Sequence, residues 1–177
     1  QRGEHRSPQH LALNPLGQVP VLVDAGQVIS DSNGILIYLV QRYAPGSAWM
    51  PQDALGQARL QSWFSLAAGM LAPGIAGPRY AALSGRPPSA DHEAARATGT
   101  RLLDHMEAEL LGRVWLLDGE QPSLADIAMV SYVSQAHIAG QFARWDEGLG
   151  LAFGLGQAVG AHLGGVHAAD RGVRVVE

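Results

Sequence analysis

Two hydrophobic periods divide this chain. As far as about residue 43, short β-rich runs alternate with turn residues and amphipathic stretches, and from about residue 51 the period is helical. Ser7-Pro8 ahead of Gln9 to Leu13 predicts a short helix capped by Ser7, with proline in its first turn and an end at Asn14-Pro15. Val19 to Val23 and Gln27 to Ile29 flank Asp24-Ala25-Gly26, which predicts an antiparallel hairpin. Asp31-Ser32 then precedes Ile35, Leu36, Leu39, Val40 and Tyr43, an apolar face that predicts a helix with Ser32 as its cap and an end before Pro45.

In the second half Leu55, Leu60, Trp63, Phe64, Ala67 and Leu71 keep a helical period, with a bend expected near Pro73 and Pro78. A second helix carries Ala95, Leu102, Leu103, Met106 and Leu110 between Ser89 and Gly112. A third opens at Ser123, whose spacing to Asp126 matches a capping box, and it is apolar nearly all round as far as Ala139. The expected division is a small α/β domain over 1–44, an all-helical domain over 50–147, and an atypical tail over 148–177. That tail holds seven glycines in the 18 positions from Gly148 to Gly165.

Composition narrows the chemistry. The chain has 177 residues, 47% hydrophobic and 16% charged, which is enough to bury a substantial core. With no cysteine, disulfides, thiolate metal sites and a protein-borne thiol nucleophile are excluded, so any thiol chemistry borrows its thiol. A net charge of −4 offers no basic field for nucleic acid. The histidines lack a metal-ligand spacing, so no metal is expected.

Asn14-Pro-Leu-Gly-Gln-Val-Pro-Val-Leu22, Asp31-Ser32, Ile37-Tyr-Leu39 and the helix opening Ser123-Leu-Ala-Asp126 together resemble the cytosolic glutathione transferases, of a bacterial, theta-like type, over roughly residues 1–140. The resemblance implies an α+β protein: a thioredoxin-like domain that binds glutathione, then an all-α helical-bundle domain, commonly in a cytoplasmic homodimer. Neither a membrane nor a nucleic acid is expected as partner. It implies glutathione as co-substrate and a small hydrophobic electrophile as acceptor, in detoxifying conjugation. Isomerisation, dehalogenation, peroxide or disulfide reduction on the same scaffold is an alternative, and a non-catalytic association module is another.

The resemblance assigns glutathione binding to His5, Gln18, Val19, Pro20, Asp31 and Ser32. A cis Pro20 would turn the backbone outward so that Val19 pairs with the cysteinyl unit like one added β rung. Pro20 could also simply mark a strand edge. Ser32, at a helix start, suits the γ-glutamyl carboxylate, and Asp31 its ammonium. A cap and a first-turn acid explain the same two residues, and both readings can hold together. His5 and Gln18 match a pair that holds the glycyl carboxylate in some members, although His5 also reads as a solvated side chain.

The family's activating Ser, Tyr or Cys lies in a first strand, turn and helix that would precede Gln1. The catalytic residue is therefore unknown, the first domain is expected to be incomplete, and the chain as given is expected to have little transferase activity. The Val19 to Val23 strand is expected to expose an edge. Ser7 reads as a cap, and Tyr38 and Tyr43 fall in a core-facing helix, so none is assigned the activating role. Trp63, Met70, Arg79 and Tyr80 are candidates for an acceptor pocket, against the alternative that Trp63 and Met70 are core. Gly154 to Gly160 falls one residue off a dinucleotide fingerprint, and the GxxxG steps at Gly156, Gly160 and Gly164 are too weakly apolar in context for a membrane helix.

Overall fold

The computed structural model describes residues 3–85, 87, 89–134 and 136, and the backbone of 174–176. The chain separates into two units, Gln1–Ser47 with Val166–Glu177, and Ala48–Gly165.

In the first unit a single 3₁₀ turn, Glu4–Arg6, leads into helix α1, Pro8–Leu13. The Ser7 hydroxyl accepts the His10 N–H at 3.2 Å and Pro8 occupies the first turn, where its missing N–H costs nothing. Strands β1 (Val21–Asp24) and β2 (Gln27–Ser30) pair antiparallel, with Val21 opposite Ser30 and Asp24 opposite Gln27. Ala25 and Gly26 form the two-residue turn with φ of 47° and 80°, the doubly left-handed geometry whose twist matches the flanking strands.

Helix α2, Ser32–Tyr43, packs against this hairpin, burying Ile35 and Val40. Its N-cap is Asp31, whose Oδ1 accepts the Gly34 N–H at 2.9 Å. This corrects the expectation for Ser32, which is the first helical residue; a carboxylate three positions before Gly34 reaches the orphan N–H that Ser32 would have had to reach from one residue later.

Strand β3, Arg174–Val176, pairs antiparallel with β1, Val21 opposite Val176, and completes a sheet of order β2-β1-β3. The edge of β1 expected to be open is thus occupied by residues from the opposite end of the sequence, a pairing about 150 residues apart that no local pattern reports. Val21 and Leu22, on the central strand, are fully buried.

The described elements of the second unit are helical. Asp53 caps α3 (Ala54–Leu66) through the Gly56 N–H at 2.8 Å, and the chain continues through a π-helical stretch, Ala67–Ala76, into α4 (Gly77–Leu83). Pro73 sits inside the wider turns, and the Gly77 N–H bonds the Ala72 carbonyl five residues back. Helix α5 spans Ala90–Leu110 behind a capping box of Ser89 and His92. Helix α6, Leu124–Val133, starts at the Ser123–Asp126 capping box, and its expected run to Ala139 lies largely outside the described residues.

The core of this unit gathers Leu60, Phe64, Leu71, Ile75, Leu102, Leu103, Met106, Leu110 and Met129. At its tightest crossing, a Cβ placed on Gly74 would stand 2.6 Å from the Gly99 nitrogen, so the π-helical stretch and α5 meet backbone to backbone. The glycine-dense run and its GxxxG steps lie outside the described residues, among which no helix is long and apolar enough to cross a membrane.

Candidate functional site

The register of the hairpin decides which residues meet. Because Val21 faces Ser30, the chain entering β1 (Gln18-Val19-Pro20) and the chain leaving β2 (Asp31-Ser32) lie at one end of the ladder. His5 joins them: its carbonyl oxygen would lie 3.2 Å from a Cβ on Gly17, the residue before Gln18. Gly17 has φ of 62°, a left-handed conformation that favours glycine, and the approach is tight. Of the six residues assigned to tripeptide binding, Gln18, Val19, Pro20, Asp31 and Ser32 flank this end of the ladder, and the His5 backbone approaches the chain that leads into it.

The Val19–Pro20 bond is cis. Val19 is 53% exposed, and among the described residues neither its N–H nor its C=O has a hydrogen-bond partner. Asp31 and Ser32 are exposed. Asp31 is held at φ 78°, ψ 124°, a conformation that costs a non-glycine residue about 1–3 kcal/mol and that clusters where a chain is shaped for a task. Its Oδ1 closes the cap, which leaves Oδ2 and the Ser32 hydroxyl turned to no described partner at the positive end of α2.

Behind this surface lie polar residues that the sequence pattern did not single out. His10 and Asn14, 3% and 5% exposed, both direct side-chain N–H groups at the Gln18 carbonyl, at 3.0 and 2.9 Å. Asp24, expected as a turn residue, is buried and accepts hydroxyl protons from Tyr43 at 2.5 Å and Tyr38 at 2.9 Å. The Tyr43 and then the Tyr38 hydrogen bond hold the Asp24 carboxyl below its usual range, and the bond to Asp24 raises both phenols. A sequence signal existed in the polar residues at α1 spacing and in the tyrosines of α2, but their targets are fixed only by the fold.

Of the four acceptor candidates, Trp63 lines a groove among the described residues. In the second unit a groove of about 360 Å³ is lined by Trp63, His105, Arg59, Arg113 and Asp118, among others, but not by Met70, Arg79 or Tyr80. Trp63 is 5% exposed and stacks on His105 at a centroid distance of 5.2 Å, so it is largely core. Arg59 pairs with Asp118, and Arg113 bridges Asp118 and Glu109. Met70 and Arg79 are half-buried, Tyr80 is exposed, and one guanidinium nitrogen of Arg79, Nε, is buried without a partner among the described residues. No group of three or more metal-ligating side chains is present among the described residues.

The family model described as Glutathione S-transferase, N-terminal domain, matches residues 1–41. A solved glutathione S-transferase from Xanthobacter autotrophicus superposes with a TM-score of 0.79 at 31% identity, covering 94% of this chain and 79% of that one. The chain belongs to the glutathione transferase family. Human glutathione S-transferase theta-2 is 28% identical over 139 residues, 76% of this chain. Glutathione S-transferase 3 of Zea mays is 32% identical over 130 residues, 70% of this chain. This glutathione transferase chain spans 57% and 58% of those two relatives. Its first unit is thioredoxin-like, with the cis-proline edge and the α2 start at one end of the sheet.

Proposed function

We propose that this chain binds glutathione through His5, Gln18, Val19, Pro20, Asp31 and Ser32, and that it serves attack of the glutathione thiolate on small hydrophobic electrophiles. The observation that carries the reading is the convergence of an unpaired backbone edge at Val19 with the open first turn of α2 at one end of the β1–β2 ladder. Val19 offers one N–H and one C=O to the cysteinyl unit, the two bonds of an added strand. The Ser32 hydroxyl and the partial positive charge of the helix start suit the γ-glutamyl carboxylate, and the Asp31 carboxylate suits the neighbouring ammonium. Gln18 and His5 supply donors for the glycyl carboxylate.

Thiol chemistry among these 177 residues depends on the bound tripeptide, because they include no cysteine. A glutathione thiol with a pKa near 8.5 is a few per cent thiolate at neutral pH, and a nearby donor raises that share. Neither Tyr38 nor Tyr43 suits that role, since each commits its hydroxyl to Asp24. Ser7 uses its hydroxyl as a helix cap. The described residues therefore support binding more directly than rapid turnover.

Isothermal titration of the full chain with reduced glutathione at pH 7 tests the reading. Saturable binding is expected, and Ser32→Ala should weaken it by roughly 10- to 100-fold, since a hydrogen bond to a charged group contributes about 1.5–3 kcal/mol. Absence of binding at millimolar glutathione, or a Ser32→Ala variant that binds as tightly as the native chain, overturns it.

A further inference from the structure

We propose that His10 and Asn14 are positioning residues for the glutathione edge, aiming the Val19 N–H outward by anchoring the Gln18 carbonyl; this rests on the function proposed above. Gln18 O accepts two hydrogen bonds, from His10 Nε2 at 3.0 Å and Asn14 Nδ2 at 2.9 Å. Two donors use both lone pairs of one carbonyl and fix the plane of its peptide as well as its direction. The Gln18–Val19 peptide is trans, so the Gln18 C=O and the Val19 N–H point opposite ways across one rigid plane. With the carbonyl drawn toward the buried pair, the Val19 N–H is turned away from it, and that N–H has no partner among the described residues.

The donors are themselves fixed. The His10 N–H is capped by the Ser7 hydroxyl at 3.2 Å, and the Asn14 N–H bonds the His10 carbonyl at 2.8 Å. Asn14 Oδ1 accepts the Leu16 N–H at 3.2 Å, and Asn14 O accepts the Gly17 N–H at 2.9 Å. Since a carbonyl can only accept, the His10 ring carries its proton on Nε2, while Nδ1 is buried without a partner among the described residues. An imidazole and an amide buried to 3% and 5% exposure, both committed to a single loop carbonyl, form a costly arrangement if its only product is a short helix. Its geometric product is the orientation of the one backbone N–H that glutathione needs.

The test compares the native chain with His10→Leu, which deletes the donor, and His10→Gln, whose side-chain amide can donate to the same carbonyl. By titration with reduced glutathione, His10→Leu should lose about tenfold in affinity, and His10→Gln should stay within about twofold of native. In ¹⁵N relaxation without ligand, the Val19 amide order parameter should fall from about 0.85 in the native chain to below about 0.6 in His10→Leu, with helix α5 amides unchanged. If His10→Leu does not fold, Asn14→Ala, which removes the other donor, should show the same two changes severalfold smaller.

Native-like affinity and order in His10→Leu, or equal losses in His10→Leu and His10→Gln, overturn the proposal. Failure of the native chain to bind glutathione overturns the function proposed above instead, and the Val19 order parameter then decides the positioning role alone.

Discussion

Ala25 occupies the first position of the β1–β2 turn at φ 47°, a conformation that brings its Cβ against the following carbonyl. The left-handed region costs an L-residue about 1–2 kcal/mol, and glycine gives back about 0.5–1 kcal/mol of that in unfolded-chain entropy. Ala25→Gly is therefore expected to stabilise the first unit by about 0.5–1 kcal/mol, read as a higher midpoint in urea at unchanged slope. Asp31 is the contrasting case. Its positive φ belongs to the cap that opens α2 at the candidate site, so the strain there is tied to shaping the surface that Ser32 shares. At this scale the sequence named the turn and the helix start correctly and missed which of two adjacent residues closes the cap, because that choice depends on side-chain reach.

Among the described elements, the π-helical stretch and α5 meet backbone to backbone. A Cβ on Gly99 would stand 2.5 Å from the Gly74 carbonyl oxygen, a backbone atom that no rotamer change can move aside. Gly99→Ala should then cost about 1–3 kcal/mol despite alanine's better helix propensity, as overpacking does elsewhere in cores. A Gly99→Ala variant as stable as the native chain by urea unfolding would refute the backbone contact. The sequence carried the period of α5 through Leu102, Leu103, Met106 and Leu110 and the proline of the wide turns. It carried no sign that Gly74 and Gly99 face one another, since each alone reads as a helix weakener.

For the whole molecule, two buried carboxylates titrate in opposite senses. Asp24, with its carboxyl held below the ordinary 3.8 by the Tyr43 and Tyr38 hydroxyls, binds fewer protons folded than unfolded. Its contribution is present above 3.8 and lost as pH falls toward its folded value. Asp126 is raised above 3.8, by burial first, against the hydrogen bonds from Leu116 and Ser123. Its ionisation lowers stability as pH rises from 3.8 through its folded value. Both tyrosines are raised above 10.0, so stability falls as pH climbs past 10.0 while the unfolded chain ionises first. Tyr43→Phe should flatten both the loss below pH 3.8 and the loss above pH 10.0, as measured by urea midpoints across pH. A native acid limb in that variant would exclude the Asp24 link. The chemistry of the site divides along the same line between local and distant information. The sequence by itself determined the hairpin, the helix caps at Ser7, Ser89 and Ser123, the Val19-Pro20 and Asp31-Ser32 motifs and the absence of a protein thiol, since all of these depend on neighbours or on composition. Tertiary structure alone decided that residues 174–176 cover the edge of β1, that Asp24 gathers two tyrosines, that Trp63 stacks on His105, and that His10 and Asn14 hold the Gln18 carbonyl. Each of those contacts joins groups whose separation in space is set by packing and not by spacing along the chain.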